Sequence, residues 1–284
     1  MYHLAAPTIQ ISELFQNCAK RTSNRQLRAS LHSELARVLQ RSALYEHLVQ
    51  RAGLYQMTQQ AAVHVSDEDL SNLYERVLVK GGERPTYLAI RGASRFGRCP
   101  LCGQRDVRTL DHYLPRKSFP EFAVLPINLV PCCFDCNHAK HDHVPTVSSE
   151  QMFHPYFDDW DHLPLIRADL EFRDTVYAEF SIDIHNLPAH IAERAELHFA
   201  ELDLGGLYAD QASIELVQKK DDFQVTFDNG GPEALRQDLV REFQSRRNPF
   251  PNAWQPVLYN ALAESDQFVE GGFQAIDQSF IFED

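Results

Sequence analysis

The chain has 284 residues, 44% of them hydrophobic and 24% charged. That is an ordinary globular balance, with enough length for one large domain or two to three small ones. No apolar run approaches membrane-spanning length, and no basic segment followed by an apolar block opens the chain, so a soluble cytoplasmic protein with no membrane partner is expected. The net charge of -13 is unevenly spread. Residues 1–147 hold 18 Lys+Arg against 13 Asp+Glu, a net of +5, and residues 148–284 hold 9 against 27, a net of -18. The most basic window carries Arg84, Arg91, Arg95, Arg98, Arg105, Arg108, Arg116 and Lys117 against Asp106 and Asp111. The protein as a whole should be repelled by a polyanion, but this segment around the first cysteine pair should not.

Residues 10–80 carry apolar side chains at three- and four-residue steps, which predicts helices. Gly53 fits a stop, Ser66 with Asp69 fits a capping box, and Pro85 fits the start of a further helix. Residues 99–143 lose that period and gain prolines. Residues 107–113 and 128–132 read as two short strands, and residues 134–143 as a short helix. Beyond residue 148, residues 163–173 and 176–184 read as a hairpin. Residues 187–202, 207–220, 232–244 and 252–265 read as helices. The expected fold class is α+β in three regions: a helical N-terminal region (1–83), a compact core (84–147) and an acidic, helix-rich α+β region (148–284).

Five of six cysteines fall between residues 99 and 136. Cys99-x-x-Cys102 and Cys133-x-x-Cys136, with 30 residues between the pairs, have the spacing of a tetrahedral structural Zn²⁺ site. Four thiolates leave no open position for catalysis. Cys132 competes with Cys133 for the second pair, but only Cys133 repeats the x-x spacing; Cys132 and Cys18 are expected to be buried apolar thiols.

The order Cys-x-x-Cys, Asp111-His112, Asn128-Leu-Val-Pro, Cys-x-x-Cys-Asn137-x-x-Lys140 resembles the HNH nuclease family. The likeness spans about 99–141, and asparagine stands at the third motif letter. It implies a zinc-clipped ββα-metal (treble-clef-like) core and a metal-dependent endonuclease acting on DNA. In that reading His112 takes a proton from water, and Asn128 holds the imidazole through its side-chain oxygen. Asp111 and Asn137 offer hard oxygen ligands to Mg²⁺ or Mn²⁺, and Lys140 contacts a phosphate. On a helix Asn137, Lys140 and His141 would share a face. Two readings of His141 stand side by side: a further ligand of the catalytic metal, or a solvent-facing histidine. His138 and His143 are expected to be bystanders.

The chain is also similar to stand-alone bacterial HNH proteins of anti-phage defence, of the Septu- and retron-associated type. That similarity implies antiviral defence beside a partner, such as an ATPase, docked on the acidic C-terminal region. The alternative is a non-catalytic zinc-binding module for nucleic acid or protein. It explains the cysteines but not Asp111, His112, Asn128, Asn137 and Lys140 together. A zinc nucleobase deaminase fails on pattern, because Asp135 stands where its Pro-Cys-x-x-Cys needs the second cysteine.

Overall fold

The architecture is known from a computed structural model that describes residues 1–248 and 250–278; Pro249 and the last six residues of the expected C-terminal region lie outside the described residues. The chain forms two compact units, Met1–Asp159 and Trp160–Asp284. Both mix helix with a small antiparallel sheet, so the α+β class holds. Among the described residues, no helix is long and apolar enough to cross a membrane.

In the first unit α1 (Ile11–Arg21) buries Leu14, Phe15 and Cys18 against Leu31 and Val38 of α2 (Arg25–Val49). The chain turns out of α2 through Ala52, at a φ of 51°, and Gly53. Ser66 caps α3 (Asp67–Ser71) by accepting from the Asp69 amide at 3.1 Å. The helix expected to run on is instead a π-helical turn, Tyr74–Val79, which turns Tyr74, Val77 and Leu78 into the core. Such wide turns are frequent at functional sites. Pro85 sits in the first turn of α4 (Arg84–Arg91), where a missing N–H costs nothing.

β1 (Thr109–His112) and β2 (Leu129–Cys132) pair antiparallel, with Asp111 opposite Val130 and His112 opposite Leu129. Pro131 is tolerated because both strands of a two-stranded sheet are edges. The connecting loop carries Phe119, Phe122 and Leu125 into a second core around Tyr45 and Tyr113. α5 (Phe134–Lys140) follows β2 directly.

The second unit opens with the hairpin of β3 (Ile166–Phe172) and β4 (Val176–Ile182). α6 (Ala189–Glu201) leads into α7 (Leu204–Arg247), then α8 (Trp254–Glu264) and α9 (Asp266–Val269). The two helices expected at 207–220 and 232–244 are one helical run, interrupted only at Gly231 (φ 70°). Phe223, buried against Phe268, carries the helix through the polar stretch between those two segments. Gly231 supplies the left-handed turn, and Pro232 restarts the helix from a position where it needs no donor.

Candidate metal centre and the adjoining cleft

The knuckle at Cys99 is shaped by Gly103, whose φ of +70° suits glycine and whose amide donates to the Cys99 carbonyl at 2.7 Å. The Arg105 amide donates to Cys102 Sγ at 3.5 Å. On the other side Cys133 caps α5, its sulfur accepting from the Cys136 amide at 3.3 Å. Both knuckles therefore aim backbone N–H groups at sulfur, which favours thiolate. The ligand atoms of Cys99, Cys102, Cys133 and Cys136 all lie within 4.8 Å of one another, and all four residues are buried. A ZnS₄ tetrahedron with Zn–S of about 2.3 Å has edges of about 3.8 Å, so this donor set fits a metal such as zinc. Among the described residues no other three or more His, Cys, Asp or Glu ligand atoms converge in this way. Cys132 is fully buried outside the set.

Beside the clip lies a cleft of about 770 Å³. Asp111, His112, Asn137 and His141 line it together, with Arg116, Phe134 and His138. His112 Nε2 donates to the Ala123 carbonyl at 2.9 Å, since a carbonyl can only accept. The proton therefore sits on Nε2 and Nδ1 keeps a lone pair. Tyr74 packs edge-on against the imidazole, 4.5 Å between centroids, and its hydroxyl donates to the Leu110 carbonyl at 3.1 Å. Burial pushes the His112 pKa down to about 3 against the opposing effect of the Ala123 bond. The ring is neutral at physiological pH, and the same burial makes it a weak base in the free protein.

Three expectations need correction. Asn128 does not hold His112. Its Oδ1 accepts from the Leu114 amide (2.8 Å) and the Tyr45 hydroxyl (3.1 Å), and its Nδ2 donates to the Leu114 (3.0 Å) and Phe122 (3.2 Å) carbonyls. The fully buried amide is consumed by the loop backbone. It fixes the loop that presents the Ala123 carbonyl, and so acts on His112 at one remove. Lys140 is not a free cation. Its ammonium is buried, 3.1 Å from Asp111 Oδ2 and donating to the His112 carbonyl at 2.8 Å. Burial raises the Asp111 pKa, opposed chiefly by this ammonium.

The third correction concerns the helix face. α5 ends at Lys140, and His141 leaves it with a φ of 50°, so Asn137, Lys140 and His141 do not form one stripe. His141 and His138 both line the cleft, with ring centroids 5.1 Å apart, so His138 is no bystander by position. His154 is buried, stacked on Tyr113 at 4.2 Å with Nε2 3.2 Å from the Tyr45 hydroxyl; it belongs to the support of the loop.

The sequence had not singled out Tyr45, Tyr74, Ala123 or Phe134. Arg116 had been visible only as one member of the basic window. Its guanidinium lies 5.2 Å from the Tyr74 ring centroid, with Nη1 3.4 Å from the Ser71 carbonyl. Much of that window is already paired: Arg98 and Arg108 with Asp106 at 2.9 and 3.0 Å, and Arg105 with Asp135 at 3.2 Å.

Compared with known proteins, the chain matches no family model and no solved structure. It is similar to protein ea31 of Escherichia phage lambda, with 29% identity across 95% of this chain and 100% of that protein.

Proposed function

We propose that the protein is a metal-dependent endonuclease that hydrolyses phosphodiester bonds in DNA, with a zinc-clipped ββα-metal core as its catalytic module. The observation that supports this best is one cleft lined by Asp111, His112 and Asn137, where the imidazole has its tautomer fixed by a backbone carbonyl. Asp111 and Asn137 would hold a hard divalent cation, Mg²⁺ or Mn²⁺, whose chemistry when bound is to neutralise charge at the phosphate oxygens. His112 accepts the proton of the attacking water at Nδ1. An anionic phosphate nearby raises the imidazole's basicity, countering the effect of burial. The Asn128-clamped loop keeps the Ala123 carbonyl in place as charge builds on the ring. Lys140 opposes the burial that raises the Asp111 pKa, and the cation lining the cleft, Arg116, faces the substrate's charge.

Purified protein should nick a plasmid in Mg²⁺ or Mn²⁺, and His112→Ala should lower the rate by about 10²–10⁴-fold at unchanged zinc content. Cutting that persists undiminished in His112→Ala would remove the base from the reading. The buried Asp111–Lys140 pair favours one competitor, a non-catalytic zinc module, which predicts no cutting under any metal. A defence role beside a basic partner or an ATPase, docked on the acidic residues beyond 148, rests on the family resemblance. The similar protein belongs to a phage, so phage DNA is a substrate to test in either setting.

A further inference from the structure

Phe134 is an apolar side chain at 64% exposure on the wall of a polar cleft. It is the first residue of α5, between the buried Cys133 and Cys136, so the clip fixes its backbone while its ring stands in solvent. Arg116 is the one Lys or Arg among the described residues lining the same cleft. Tyr74 holds Arg116 from below and touches His112 with the same ring. The cleft thus offers a fixed guanidinium, an uncovered aromatic face and an acid–imidazole pair. An aromatic face is sequence-tolerant toward nucleobases, because every base has a π-face, but it can be used only by a base that is not stacked in a duplex. Guanidinium matches phosphate geometry.

We infer that the cleft takes a strand with an unstacked base, with Phe134 stacking on the base and Arg116 contacting its phosphate. The substrate class is then single-stranded or locally distorted DNA rather than continuous duplex. This inference rests on reading the cleft as a phosphodiester site, and it gives that site its substrate preference.

The experiment is fluorescence anisotropy with the full chain in Ca²⁺, using three fluorescein-labelled DNAs: a short single strand, the matching duplex, and that duplex with one bulged base. The wild type should prefer the single strand and the bulge. Base–aromatic stacking is worth about five- to 150-fold (about 1–3 kcal/mol). Phe134→Ala should remove that factor for those two probes and leave the duplex unchanged, and Phe134→Trp should restore it. Arg116→Ala should weaken all three probes and flatten their salt dependence. Equal wild-type affinity for all three probes, no binding to any, or a preference that survives Phe134→Ala overturns the inference. Zinc content and circular dichroism establish that each variant is folded. Plasmid nicking separates the two proposals. His112-dependent nicking without strand preference sinks the inference alone, and a Phe134-dependent preference without nicking sinks the nuclease alone.

Discussion

The cysteine cluster and the Asp111–His112 cleft lie side by side and share one short segment, Phe134 and Asn137 of the cleft standing next to Cys133 and Cys136 of the cluster, yet they are built on opposite principles. At the cluster the protein supplies every donor: four sulfurs converge and are fully enclosed. At the cleft it supplies too few. One carboxylate is engaged by Lys140, the imidazole is tied through one nitrogen, and an asparagine and two histidines line the wall without converging. A saturated site holds structure together and has no room for a substrate. An undersaturated one leaves positions for water, cation and phosphate. On the proposed function, that difference separates the scaffold from the reactive site.

The largest break in that comparison comes from emptying the cluster. Cys133→Ala should abolish zinc binding and unfold the first unit, because structural zinc contributes about 10 kcal/mol or more to small modules of this kind. Cys132→Ala should retain one zinc per chain. Metal analysis and thermal melting of both variants check this. If Cys132→Ala loses the metal and Cys133→Ala keeps it, the assignment of the ligands is reversed.

The cluster is legible in sequence because its geometry is local: two x-x spacings fix two thiol pairs, and only the closure between Cys102 and Cys133 is long-range. The cleft is legible in part. Asp111, His112 and Asn137 can be named from their order, but the partners of Asn128 and Lys140 cannot. What a polar side chain bonds to depends on the path of residues 113–127, which has no period and three prolines' worth of turns and 3₁₀ segments to choose among. That path brings Leu114 and Phe122 to Asn128 and Ala123 to His112. Tyr74 and Tyr45 reach the site from helices distant in sequence, and nothing in their own neighbourhoods announces it. The length of α7 is hidden in the sequence for a different reason. Its polar middle hides a single buried anchor, Phe223, among charges on the other faces.

A smaller break tests Lys140. As a phosphate contact it would be dispensable to the fold. As the buried partner of Asp111 it is not, because removing one member of such a pair costs about 3–5 kcal/mol. Lys140→Met should therefore lower stability by that order, read by urea melts. The pH dependence carries a sign. Burial already raises the Asp111 pKa against the pull of Lys140, and losing the ammonium raises it further. A carboxyl whose folded pKa lies above its unfolded one favours the fold at low pH, and that contribution is lost as pH rises through the window between them. The deficit of Lys140→Met should accordingly shrink as pH falls toward the carboxylate range. A deficit independent of pH would mean that packing against Tyr113, 5.8 Å from the ammonium, rather than charge, is what the lysine provides.

The smallest effect separates holding a ring from holding the loop that holds it. Asn128→Asp keeps the size and the Oδ1 acceptor but turns Nδ2, which donates to the Leu114 and Phe122 carbonyls, into a second acceptor. Two buried carbonyls then face an oxygen, and a cost of about 1–3 kcal/mol follows for unsatisfied buried groups. If Asn128 acts only through the loop, substitutions at Tyr45, which donates to Oδ1 at 3.1 Å, should act in the same direction. Tyr45→Phe should lower stability by about 1–3 kcal/mol, because it removes the hydroxyl's bonds to both Asn128 Oδ1 and His154 Nε2. It should also slow nicking modestly while leaving the substrate KM unchanged, since it touches neither phosphate nor base. The double variant should then show less than the sum of the two losses, because both act on one network. Additive losses would place Tyr45 and Asn128 in separate networks and return Asn128 to direct contact with His112 in the working complex.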